Sequence, residues 1–165
     1  MSTKDKVNNL IMEGKWFRLA PRTRPFELET REIYVLPELH EWLMGCMKTA
    51  KMKDHQARVQ IPLKDFIIGK QIDNCFFMKL LRSPTLDIWE IRVLGKYQYR
   101  IFGAFLYYDG FLATHIKDRN DIDKRDTFDR EIEHVRKVWG KIFPCNSVSR
   151  LQGSFKDIVS NGKEC

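Results

Sequence analysis

Arg92, Arg100, His115 and Lys117 are residues of the types that handle phosphate, and each lies in a stretch where apolar residues recur at every second position. Trp89, Ile91 and Val93 alternate with Glu90 and Arg92. Ile101, Gly103 and Phe105 lie out of phase with Gln98 and Arg100, and Leu112, Thr114 and Ile116 alternate with His115 and Lys117. On strands, a period of two sends one set to a core and the other to the opposite face. Aligned side by side, the three strands bring two arginines, a histidine and a lysine to one open surface. Cleavage of RNA by its own 2′-hydroxyl needs three groups: one to take that proton, a cation for the charge gathering on phosphorus, and an acid for the leaving 5′-oxygen. His115 suits either proton transfer, and Arg92, Arg100 and Lys117 suit charge stabilisation. The same residues also fit plain cross-strand ion pairing, for example Glu90 with Lys117, beside an incidental surface histidine.

Other chemistries lack their residues. The chain has no G-x-G-x-x-G, Walker loop, H-E-x-x-H or G-x-S-x-G. The stretch from Asp118 to Asp123 has Ile122 where a calcium loop needs its third ligand and no glycine next, so it reads as a solvated loop. His40 and His55 have no second ligand at helical spacing, and His134, beside Arg130 and Glu131, reads as solvent-facing. The four cysteines, at 46, 75, 145 and 165, form no C-x-x-C pair and read as reduced thiols. Neither a metal nor a cofactor is expected. Tyr97, Tyr99, Tyr107 and Tyr108 can stack on bases or fill a core.

The elements that must position these residues follow from periodicity. Arg31 to Leu36 alternates as a half-buried strand. Pro37 then opens a helix to residue 48, with Leu39, Trp42, Leu43, Cys46 and Met47 on one face. A second helix is predicted over 51–68, disturbed at Pro62 and ended by Gly69, with Val59, Leu63, Phe66 and Ile67 as its stripe. Strands are predicted over 87–94, 97–108 and 111–117, joined by turns at Gly95-Lys96 and Asp109-Gly110 into an antiparallel meander. A last helix is predicted from Thr127 to Lys141, with Phe128, Ile132, Val135 and Trp139 on its apolar side. Residues 1–29, with a short helix possible over 4–14, read as an N-terminal extension, 30–143 as one domain, and 144–165 as a loose tail.

The chain has 165 residues and a formal net charge of +7, enough for one core. Residues 48–100 hold 11 Lys or Arg against 5 Asp or Glu, so the positive field is concentrated there, as suits a polyanion. The longest apolar run, Ile101 to Tyr108, falls far short of the roughly 18 to 20 residues that cross a bilayer. The N-terminus has no apolar signal region. A cytoplasmic protein with no membrane partner is expected.

LDIWEIRVLGKYQYRIFGAFLYYDGFLATHIKDRN, followed by TFDREIEHVRKVW, resembles the RelE/ParE toxin superfamily, and within it the HigB-like, phage-derived branch. That branch shows a W-E-L-R strand, a Y-R-I-F-Y strand, an aspartate-glycine-type turn, an apolar strand ending in His, a basic segment, and a helix with an E-I-E core. Trp89-Glu90-Ile91-Arg92, Tyr99-Arg100-Ile101-Phe102, His115 with Lys117, and Glu131-Ile132-Glu133 stand here in that order. REIYVLPELHEWL resembles the opening strand, proline and helix, so the likeness spans about residues 31–141.

The resemblance implies an α+β fold, with two N-terminal helices packed on a twisted antiparallel sheet of about four strands and a C-terminal helix. It implies a type II toxin that cleaves mRNA on the ribosome, held inactive by a helix-turn-helix antitoxin. Arg92, Arg100, His115 and Lys117 would carry catalysis, and Tyr97 or Tyr99 stacking or acid roles. Arg119, Lys51, Lys53 and Lys64 are the further RNA-contacting candidates. In the branch a glycine and an aromatic often follow the histidine, then two lysines, whereas this chain has Ile116, Lys117, Asp118 and Arg119. The superfamily also hosts ParE-like gyrase inhibitors, so a non-catalytic binding module, either of that kind or a mobile-element accessory protein for a host factor, is the alternative.

Overall fold

Ser2 starts the first helix, α1 (Thr3–Met12), in a capping box: its hydroxyl accepts from the Asp5 amide while the Asp5 carboxylate accepts from the Ser2 amide. The computed structural model describes residues 2–73, 78–81, 86–122, 128–144 and 154–164. β1 (Phe17–Arg18) and β2 (Glu32–Val35) come next. Pro37 then opens α2 (Pro37–Met44) at the helical position where its missing N–H is not needed. Thr49 caps α3 (Ala50–Ile67), accepting from the Met52 amide at 3.2 Å, and the helix runs through Pro62. After β3 (Ile72–Asp73) and β4 (Met78–Leu81) comes the meander of β5 (Ile88–Val93), β6 (Tyr99–Tyr107) and β7 (Gly110–Asp118). The chain continues through α4 (Asp129–Ile142), α5 (Phe155–Ile158) and β8 (Gly162–Lys163). Thr127, the expected start of the last helix, lies outside the described residues.

Among the described residues the main sheet has six strands in the order β1-β2-β7-β6-β5-β4, and β3 pairs with β8 in a second, two-stranded sheet. In the main sheet β2 runs parallel to β7 and the other neighbours are antiparallel. One face buries Ile33, Val35, Trp89, Ile91, Ile101, Phe111 and Ala113 against Leu39 and Leu43 of α2 and Val59, Leu63, Phe66 and Ile67 of α3. The other buries Tyr34, Ile88, Phe102, Ala104, Leu106 and Leu112 under Val7 of α1 and Val135 and Trp139 of α4. Helices therefore cover both faces.

This corrects the expected two helices on an antiparallel sheet of about four strands. The sheet is mixed, and the described residues hold five helices. Alternation reports which side chains are buried but not the direction of a strand's distant partner, so the parallel pairing of β2 with β7 left no local mark. β1 is two residues long and carries no measurable period. α4 has a strongly apolar stripe that needs a core, and the face opposite α2 and α3 supplies one.

Both chain ends contribute to the core. Val7, Trp16 and Leu19 are buried at one end, and Phe155, Ile158 and Val159 at the other. Arg31, buried just before β2, ties the C-terminal segment in. Its guanidinium donates to the carbonyls of Phe66, Lys70 and Ser160 and faces the Asp109 carboxylate at 3.6 Å. The resulting charge-assisted clasp joins four separate stretches of chain.

Candidate phosphate-binding face

A single extra residue in β7 decides which side His115 and Lys117 face. Ala113 pairs with Gly103 and His115 with Phe102, so Thr114 is bulged out of the ladder. Unbulged pairing would set His115 opposite Ile101, on the side of α2 and α3. The bulge instead puts Lys117 opposite Arg100, and Arg100 opposite Arg92, in one rung across three strands. Leu112 shares the side of His115, contrary to uninterrupted alternation, and packs with Phe102. The Thr114 hydroxyl lies 3.1 Å from the Phe102 carbonyl and braces the bulge. Gly103 admits the close approach, since a Cβ there would meet the Leu112 carbonyl oxygen at 2.0 Å.

All four residues expected to carry the chemistry thus lie on the face away from α2 and α3, but they are not equally open. Arg100 is only 8% exposed, and Lys117 is exposed. Glu90, one rung away on β5, is fully buried beneath the arginines. Its Oε1 accepts from Arg92 Nε at 2.7 Å, and its Oε2 faces Arg100 Nε at 3.5 Å. The expected alternative, Glu90 with Lys117, gives way to this pairing with arginine. Arg100 also donates to the Tyr99 carbonyl at 3.0 Å. Burial lowers the Arg100 pKa from its ordinary value, Glu90 opposes that shift, and the positive charges of Arg92 and Arg119 add to it. The buried Glu90 carboxylate is therefore faced by Arg92 and Arg100, with Arg119 near enough to act on Arg100, a gathering of guanidinium groups of the kind that binds phosphate. Arg119 follows β7 and places its guanidinium 5.3 Å from the centre of the Phe128 ring.

His115 is enclosed. α4 lies over it, and its Nε2 is 2.7 Å from the Glu131 carboxylate while its Nδ1 is 2.8 Å from the Thr114 hydroxyl. The ring stacks on Phe102, with centroids 5.0 Å apart, and the His134 ring lies 4.4 Å away. Burial pushes the His115 pKa down to about 4 against the opposing pull of Glu131. At neutral pH the ring is uncharged, with Nε2–H donating to Glu131 and Nδ1 lying against the Thr114 hydroxyl, whose proton goes to the Phe102 carbonyl. Both nitrogens face partners within the fold, so His115 fastens β7 to α4. Its strand position was legible in the sequence. The helix above it, with Glu131 aimed down, was not.

The remaining expected residues lie on the reverse side of the sheet. Tyr99 packs into the core beside α2 and α3, and Tyr97 stacks on His55 of α3. Lys51 and Lys53 are exposed on α3, while Lys64 pairs with Glu27 at 2.9 Å. None of these joins the Arg92, Arg100 and Lys117 rung. Burial raises the Tyr99 pKa from its ordinary value, and Asp118, Asp121 and Tyr97 add to the rise. An apolar groove of about 380 Å³ runs between residues 19–22 and helices α2 and α3, also away from the basic rung. Among the described residues no group of three or more His, Cys, Asp or Glu is disposed to hold a metal. Compared with known protein families, curated proteins and solved structures, the chain matches none.

Proposed function

We propose that the protein is a toxin of the type II kind that acts on ribosome-bound mRNA, held in check by a helix-turn-helix antitoxin, and that it grips the RNA backbone with Arg92, Lys117 and Arg119 above the buried Glu90–Arg100 pair. The observation that carries the proposal is the rung of Arg92, Arg100 and Lys117 across three adjacent strands. A cation on each strand matches the spread charge of a phosphate and strengthens as charge accumulates on phosphorus. The order of sequence motifs from Trp89 to Glu133 supports the same reading. No helix is long and apolar enough to cross a membrane among the described residues.

A second reading, binding without cleavage, is favoured by one observation: both nitrogens of His115 are engaged within the fold. Single-turnover cleavage of mRNA on programmed ribosomes tests both. Under the first reading the wild-type protein cuts, and the Arg92→Ala/Lys117→Ala variant is slower by on the order of 100-fold or more. Binding of ribosome or RNA with no cut would establish the second reading. Growth arrest with gyrase-dependent DNA breaks and intact mRNA would overturn both in favour of a gyrase inhibitor.

A further inference from the structure

The groove between residues 19–22 and helices α2 and α3 is lined in a way that neither the core nor the basic rung explains. Its walls include Leu43 and Met44 of α2 and Ala57, Ile61 and Ile67 of α3. At about 380 Å³ it has the size of a small-molecule site. Met44 is 55% exposed and Ile61 60%, so the groove keeps apolar surface in contact with water. Among the described residues no aromatic ring and no carboxylate lines it, and its polar side chains are those of Arg22, Gln60 and Lys64. Lys64 is held by Glu27 at 2.9 Å, and Gln60 donates to the Leu43 carbonyl near the end of α2 at 2.6 Å. Arg22 is exposed, and its guanidinium has no partner among the described residues.

This lining selects a chemistry. Aliphatic walls without a ring suit a flexible hydrocarbon rather than a flat aromatic ligand. A free guanidinium in a lining without carboxylates suits an anion rather than a cation, and its two parallel N–H donors match a carboxylate. Along α3 the walls run from Ala57 to Ile67, about 15 Å of helix, which is the reach of an extended chain of about ten carbons with its carboxylate. We infer that the groove binds a medium-chain fatty acid, its alkyl chain against Met44, Ala57 and Ile61 and its carboxylate on Arg22. A second copy of the chain fits the groove less well. An isologous contact through it would bring two sets of Arg22 and Lys64 together on molecules that each carry a net charge of +7. The inference does not rest on the RNA reading, because the groove lies on the face of the sheet opposite the basic rung.

Titration calorimetry on the full chain with octanoate, decanoate and decanol, each kept below its micelle or solubility limit, tests the inference. Decanoate is expected to bind as one equivalent, about fifteenfold more tightly than octanoate, at about fourfold for each buried methylene. Arg22→Ala is expected to weaken decanoate about tenfold and to leave decanol unchanged, because only the carboxylate loses its partner. Ile61→Glu, at an exposed position, is expected to weaken both ligands by at least about tenfold, since it sets a charge against the alkyl chain. Unchanged urea unfolding of the two variants would show that the fold is intact. Equal affinity for octanoate and decanoate, or a decanoate affinity that ignores Arg22→Ala, would overturn the inference, as would no binding of decanoate at all. Several equivalents bound without dependence on Arg22 or Ile61 would mark adsorption to a basic surface and overturn it too. A dimer in sedimentation that Ile61→Glu dissociates and decanoate does not would give the groove to a second copy instead.

Discussion

Replacing Glu90 with Gln is expected to make the protein less stable and a tighter binder of RNA. The carboxylate is fully buried, with Arg92 Nε at 2.7 Å and Arg100 Nε at 3.5 Å. Gln preserves the shape and one acceptor but removes the buried negative charge that faces Arg92 and Arg100. Arg100, whose side chain is 9% exposed, is then left beside Arg92 and Arg119 with little water to screen it. Breaking a buried pair by removing one partner costs about 3–5 kcal/mol. At about 2–4 °C per kcal/mol for a chain of this size, the melting temperature should fall by about 6–20 °C. The same change gives the rung one further uncompensated positive charge, so affinity for single-stranded RNA should rise and its salt slope steepen by up to about one. Urea unfolding followed by tryptophan fluorescence measures the first effect, and oligonucleotide titration at two salt concentrations measures the second. A stability loss below about 1 kcal/mol would mean that Glu90 does not neutralise the arginines. Weaker binding by a folded variant would mean that they do not meet the RNA.

His115 should make stability depend on pH. Its pKa is lowered to about 4 in the fold from an ordinary 6.5, so the unfolded chain takes up the proton first. Stability is then complete above about pH 6.5 and is lost as pH falls toward 4, by up to about 3 kcal/mol, whereas His115→Gln should flatten this window in urea titrations at pH 7.5 and 4.5. An identical pH dependence in the variant would contradict the burial of a neutral ring. Gly103→Ala should destabilise the protein by about 3 kcal/mol or more, because the new Cβ would meet the Leu112 carbonyl oxygen at 2.0 Å beside the bulge. Amide exchange would show protection lost first around residues 112–117, and an unchanged pattern would disprove the link between Gly103 and the bulge.

Much of this molecule is already present in local patterns. Alternation from Ile88 to Val93 and from Tyr99 to Phe105 separates apolar from charged positions. Pro37 marks the start of α2, and Val59, Leu63, Phe66 and Ile67 mark the stripe by which α3 covers the sheet. These signals are local because side-chain direction follows from the helical or strand period alone. The register of Arg92 against Arg100 does not belong with them, since the two-residue turn expected at Gly95-Lys96 would set Arg92 opposite Tyr99, whereas the link spans residues 94–98 and shifts the pairing by one.

What tertiary structure decided involves residues distant in sequence. The bulge at Thr114 turns His115 and Lys117 to the rung, and it depends on contact with Gly103 and Phe102 of the neighbouring strand. α4 closes over that face and brings Glu131 to His115, so a histidine with the right strand position for proton transfer becomes a neutral fastening between sheet and helix. Glu90 belongs on the polar side by period, yet it is buried because two arginines converge above it and no water reaches between. The sequence by itself determined residue types, elements and local faces. Which charges were desolvated, which nitrogens were occupied and which tyrosines stood behind the sheet were left to long-range packing, because burial and dielectric depend on what lies across a gap that no local period describes.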